Sequence, residues 1–315
     1  MAALGTPYVT PSMLENAPIG VSWSIIPAPG ATTAAQAAAI TDICWKATSR
    51  VDTYCGQPLR STADTEYLNG PGLSRCTVDR NTGNGVLIMR RWPVTEVLAI
   101  QTSPARSFPR VWTPVPAGNW DIRHPLTWCG DTAAPTMPDG GWTVDVAPGW
   151  ITWRQGGRGG LRVQVCHLNG WPHTSLTTVA AAGETVLQVD DVTGWGGAAG
   201  WAYDGSATEQ LSAVSGVATT PLVLPNGAGL AQAGPGTITL TAGLASAHPA
   251  GTVISALPAT VIEATVYAAA AQALMGGIDA VSIQEMPGGK LSSGSPIADI
   301  ATELELLLDP FRRIA

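Results

Sequence analysis

The stretch that decides the reading is residues 161–172, Leu-Arg-Val-Gln-Val-Cys-His-Leu-Asn-Gly-Trp-Pro. Leu161, Val163 and Val165 alternate with Arg162, Gln164 and Cys166, the two-residue period of a half-buried β-strand. The run leads into Asn169-Gly170-Trp171-Pro172. Short strands are expected upstream as well. Residues 86–89 and 94–100 flank Pro93 as two strands joined at a corner, and residues 142–146 and 150–153 flank Pro148-Gly149. Residues 103–118 and 130–141 are rich in Pro and Gly and read as loops.

Further upstream the period changes. Ile40, Ile43, Cys44, Ala47, Val51, Tyr54 and Cys55 form one stripe at helical spacing, predicting a helix over 33–55. Thr33 with Gln36 makes a capping-box pattern; Gly56 and Pro58 end the helix. Trp45 lies off the stripe, to be covered either by another segment or by a neighbouring subunit. Residues 1–31, with prolines at 7, 11, 18, 27 and 29, read as an arm.

Downstream, residues 173–256 contain no Arg or Lys and are rich in Ala, Gly, Thr and Val. Runs at 185–190, 208–214 and 236–241 predict a small inserted all-β domain whose ends lie close together. Helical spacing then returns. Pro258 opens a helix to about Met275 with an apolar face including Val261, Ile262 and several alanines. After a Gly/Ser linker at 287–294, Ser295 caps a last helix whose stripe includes Ile297, Ile300, Leu304, Leu307, Leu308 and Phe311. Arg312 and Arg313 at its end suit the helix dipole. The expected fold class is therefore α+β: a main domain of amphipathic helices and short antiparallel strands, residues 1–172 plus 257–315, with the insert at 173–256. A stripe beyond a linker either packs back at home or docks on a partner. Trp45, Leu304, Leu308, Phe311, Arg312 and Arg313 are accordingly the candidate interface residues.

Composition narrows the function. Of 315 residues, 45% are hydrophobic but only 12% charged, and the net charge is −7. No basic cluster exceeds Arg90-Arg91 or Arg312-Arg313, which disfavours a grip on phosphate backbones. Five widely spaced cysteines without a CxxC argue against a disulfide framework and a zinc site. No signal pattern opens the chain, and no apolar stretch is long enough for a membrane span.

Nothing rises to a catalytic set, so no enzyme, cofactor or metal is expected. Asp190-Asp191 with Glu209 read as a strand end and turn, and His124, His167, His173 and His248 have no metal spacing. The glycines at 156–160 lack the Lys-Ser/Thr and helix of a P-loop and read as a hairpin turn. Twelve tryptophans against two phenylalanines read first as core filler, with a protein interface or a sugar-stacking surface as alternatives.

The order of these parts resembles the head-tail connector (adaptor) family of long-tailed DNA phages. The resemblance rests on the helix ending Ser49-Arg50-Val51-Asp52-Thr53-Tyr54-Cys55-Gly56-Gln57-Pro58-Leu59 before a Thr-rich strand, on Arg91-Trp92-Pro93-Val94-Thr95-Glu96-Val97, on the strand from Leu161 closing in Asn169-Gly170-Trp171-Pro172, and on the pair of C-terminal helices ending Leu306-Leu307-Leu308-Asp309-Pro310-Phe311-Arg312-Arg313. It covers residues 30–172 and 257–315. The insert departs from compact members and looks like a β module grafted into various phage structural proteins. The resemblance implies a structural virion protein at the head-tail junction, assembled in the host cytoplasm as a ring, typically twelvefold. The ring would touch the portal on one side and stopper, tail-terminator or tail-tube proteins on the other, with DNA passing its lumen. The alternatives are another tail-completion or tail-tube protein, or a carbohydrate-binding module working through the insert.

Overall fold

The computed structural model of the chain describes residues 5–17, 21, 23, 26, 31–69, 75–78, 83–104, 108–123, 143–147, 161–204, 208–275 and 296–312. Among these residues are four α-helices: α1 (Pro11–Asn16), α2 (Thr33–Cys55), α3 (Ala259–Met275) and α4 (Pro296–Leu308). The body strands are β1 (Thr62–Asn69), β2 (Cys76–Val78), β3 (Gly85–Ile88), β4 (Val94–Pro104), β5 (Thr113–Pro114), β6 (Trp120–Arg123), β7 (Thr143–Val146) and β8 (Leu161–Asn169). Those that follow are β9 (His173–Ser175), β10 (Val186–Val189), β11 (Ala199–Tyr203), β12 (Thr208–Ala218), β13 (Leu222–Val223), β14 (Leu230–Ala231), β15 (Gly236–Leu240) and β16 (Val253–Ser255).

The expectation of an α+β fold is corrected: the chain is mostly β, with 37% strand against 27% helix. Helical stripes are conspicuous in sequence, whereas strands as short as β2, β5 and β9 hold too few residues to show a period. β4 slips register against β8 twice, between Val94 and Glu96 and between Val97 and Ala99, and each slip breaks the alternation. The two strands expected to meet at a corner beside Pro93 also part company. β3 joins an antiparallel sheet ordered β2-β3-β7-β6, and β4 joins another ordered β1-β8-β4-β5. Residues 130–141 and 150–160 lie outside the described residues.

β8 is buried on both faces rather than one. Val163 and Val165 enter the body core, while Cys166 faces a small second cluster with Ala99, Leu224 and Ala231. The body core also takes Tyr8, Leu14, Trp23 and Ile26 from the N-terminal segment, the stripe of α2, and Leu304, Leu308 and Phe311 from the C-terminus. Each fully buried large aliphatic contributes about 1.5–3 kcal/mol. α2 follows its predicted bounds, but its cap is Thr32, whose side chain accepts from Ala35 N–H. Gln36 turns instead to the Trp23 carbonyl, tying the arm to the helix. α3 packs against both α2 and α4 and is buried at Ala264, Ala268, Ala269 and Ala270, residues small enough for close approach on two sides.

Six of the strands from β9 to β16 form an antiparallel sheet ordered β10-β15-β12-β11-β16-β9. Its first and last strands meet: Leu176 bridges Val189, and Asp190 N–H donates to the Ser175 carbonyl at 3.0 Å. The sheet is thereby nearly closed into a barrel, which removes its edges. Inward residues such as Leu187, Val189, Leu211, Ile238, Leu240 and Ile254 fill a core of its own around Trp195. β13 and β14 leave the barrel as a separate hairpin.

Candidate assembly site

Four distant segments meet in one buried node. Gln57, just past α2, uses its side-chain amide both ways: Nε2 donates to the Trp92 carbonyl (3.1 Å) and Oε1 accepts from Trp92 N–H (3.2 Å). Gly170 N–H donates to the Pro93 carbonyl at 2.9 Å, and Trp171 N–H to the Leu59 carbonyl at 2.9 Å. Gly170 has φ +84°, and a Cβ there would stand 2.5 Å from the Arg60 carbonyl oxygen, so the turn requires glycine. Phe311 closes the node, stacked on Trp92 (6.3 Å between centroids) and edge-on to Trp171 (5.6 Å).

The N-terminal arm straps the barrel to the body. Tyr8 N–H donates to Thr48 Oγ1 of α2, and the Tyr8 hydroxyl donates to Asp52 at 2.5 Å while accepting from Leu59 N–H at 2.8 Å. Burial, then the Asp52 charge, push the Tyr8 phenol well above its usual range, so it stays a donor. Burial also raises the Asp52 carboxyl, against the hydrogen bonds from Tyr8 and Leu59. One residue earlier, the Pro7 carbonyl meets His173 Nε2 at 2.9 Å, and His173 Nδ1 meets Ser255 Oγ at 2.9 Å. Both His173 and Ser255 belong to the barrel sheet. Burial lowers the His173 imidazole to about 4, which keeps it neutral. A second tie is the β13–β14 hairpin. Asn226 Nδ2 donates to Gln164 Oε1 at 2.6 Å, and Leu224 and Ala231 cover Cys166 on the outer face of the body sheet.

The candidate interface residues fall in different places. Leu304 (5% exposed), Leu308 and Phe311 (both 0%) fill the body core, so the last helix spends its stripe on its own chain. They are unavailable for docking while that core is intact; the aromatic pair Trp92 and Trp171 is the partner that the isolated helix pattern did not reveal. Arg312 lies over the Tyr54 ring at 5.8 Å, Trp45 is half-buried on α2, and Arg313 lies outside the described residues.

The polar candidates are tied into structure. Asp191 Oδ1 accepts from the backbone N–H of Thr193 and Gly234, and Asp190 accepts from Ser175. The His248 ring sits between Asp204 (3.1 Å) and Glu209 (3.0 Å), one carboxylate on each nitrogen. These carboxylates lie on opposite sides of the ring and do not converge on a point where a metal could sit. Burial alone would raise Glu209, but bonds from Ala245 N–H, His248 and Ser246 N–H outweigh it and hold the carboxyl below its usual range. His167 is fully buried near the Glu66–Arg75 ion pair, and burial lowers its imidazole. Among the described residues no helix is long and apolar enough to cross a membrane. His124, Cys129 and the glycine run at 156–160 lie outside those residues.

Two features escaped the sequence reading. One is the exposed tip between β4 and β5, where Phe108 is 98% exposed beside Arg110 and Val111. The signal available was a phenylalanine in a chain that has only two. The other is a cavity of about 400 Å³ between α1 and the barrel, lined by Thr10–Ser12, Tyr203, Asp204 and residues 249–252. No family model, no curated protein and no solved structure matches this chain.

Proposed function

We propose that the chain is a structural head-to-tail adaptor of a tailed phage, assembling as a ring below the portal that couples capsid to tail and lets DNA pass. One observation carries this reading. The four motifs on which the resemblance rests, drawn from both halves of the chain, converge on the node of Gln57, Trp92, Trp171 and Phe311. The charge supports the same reading, because a chain of net charge −7 lets a phosphate backbone slide past without holding it.

The test is direct imaging of the purified protein, alone and mixed with portal rings from the same particle. The expected result is a closed ring with a central opening, twelvefold if the resemblance holds, stacked coaxially on the portal. A chain that stays monomeric at high concentration, and remains so beside the portal, would overturn the proposal.

A further inference from the structure

Phe108 is 98% exposed, whereas Phe311, the other phenylalanine, is fully buried. Val111 beside it is 66% exposed, and Arg110 is exposed and in no ion pair among the described residues. The tip is braced: Trp112 packs on Tyr67 at 6.0 Å, and Thr113 pairs with Thr102 of β4. An apolar ring held out in water, with a cation two residues on, has the form of a plug.

The cavity beside the barrel has the matching form. Pro11, Tyr203, Pro249 and Ala250 give it apolar walls, and Asp204 gives it a carboxylate. Asp204 Oδ2 is held by His248, and no described donor occupies its Oδ1. Residues 173–256 carry five carboxylates (Glu184, Asp190, Asp191, Asp204, Glu209) and no Arg or Lys, so the field around the cavity attracts a guanidinium.

Plug and socket lie apart along the fold. β8 starts at Leu161 opposite Pro104, on the tip side, and runs nine residues, about 30 Å, toward the barrel. β9 then ends at Ser175 opposite Val253, beside the cavity wall at Thr252. We propose that the Phe108–Val111 tip of one copy enters the Tyr203/Asp204 cavity of the next, with Arg110 pairing Asp204. Such a contact uses two different patches and is therefore heterologous, the kind that closes into a ring.

This contact rests on the ring reading, and one experiment separates them. Native mass spectrometry is run on the unmodified chain, on Phe108→Ser (tip broken) and on Ala250→Trp (cavity filled from an exposed loop, with the Asp204–His248 pair left in place). Circular dichroism checks that both variants fold. Each variant is expected to associate at least tenfold more weakly than the unmodified chain. An equimolar mixture of the two gives dimers and nothing larger, since only one sound tip and one sound cavity remain per pair. Rings of the unmodified chain with both variants still forming rings would overturn the plug and leave the ring standing. An unmodified chain that stays monomeric both alone and with portal rings added would overturn both.

Discussion

The barrel draws its core from consecutive strands between Leu176 and Ile254, whereas the body draws its core from both ends of the chain, from Tyr8 to Phe311. The fillers differ as well. The barrel packs Ala, Val and Leu around one tryptophan, Trp195, and a Cβ on Gly200 would meet that ring at 2.7 Å. The body stacks Trp92, Trp171 and Phe311 where four segments cross. The barrel core lies within one contiguous stretch of chain, so damage at the body's crossing should reach every segment that meets there and spare the barrel. The two are joined by ties of modest size: the arm through Pro7 and Tyr8, and the hairpin through Asn226.

The largest expected effect tests that contrast at the node. Phe311→Ala removes the ring that seats α4 on Trp92 and Trp171 and should cost about 3–5 kcal/mol. Hydrogen exchange should show lost protection in α2, α3 and α4, with barrel amides such as Leu211 and Ile238 still protected. Equal loss of protection in barrel and body would show one cooperative unit, and the contrast would then be wrong.

Legibility follows the same division. α2 was legible because its stripe is one uninterrupted helix face; only the cap differed, Thr32 for Thr33, since Gln36 found the Trp23 carbonyl instead. β10 and β15 alternate cleanly, so their strands could be placed from spacing. β4 was placed only over 94–100; two register slips interrupt its period, and the strand runs on to Pro104. The fold class was misjudged because helices announce themselves, while strands as short as β2, β5 and β9 hold too few residues to show a period. At the candidate site, Phe311 was noticed as part of a stripe, but what it packs against depends on Trp92 and Trp171, which spacing cannot bring together. Phe108 stood in what read as an ordinary loop, and its exposure is a property of the folded surface.

The next effect tests the tie between the two regions. His173 is buried and neutral, with Pro7 on one nitrogen and Ser255 on the other. Its imidazole titrates at about 4 in the fold against 6.5 when free. The unfolded chain therefore takes up the proton first as pH falls. The stability from this group is full above pH 6.5, declines from there to about 4, and totals about 3 kcal/mol. Carboxylates titrate partly over the same range, so the measurement is a difference. Urea titrations of the parent and His173→Gln should converge in stability as pH falls from 7 to 4. A gap that stays constant with pH would show that His173 does not couple protons to the joint.

The smallest expected effect isolates the hairpin tie. Asn226 has φ 57°, a left-handed conformation that glycine also adopts, so Asn226→Gly keeps the backbone and removes only the amide that donates to Gln164 Oε1. Gln164 is fully buried; its remaining described partners are weaker contacts at 3.4 Å to Cys166 Sγ and 3.5 Å to the Pro225 carbonyl. Losing one hydrogen bond of this kind should cost about 1 kcal/mol. Most of the loss should appear locally, as faster exchange at Leu224 N–H, which is bonded to the Gly229 carbonyl within the hairpin. If the hairpin is a true tie, Asn226→Gly and His173→Gln should cost more together than the sum of each alone, because each leaves the other as the remaining restraint on the barrel. Strict additivity would mean that the barrel is held by its strand connections at Pro172 and Leu257, with the arm and hairpin as passengers.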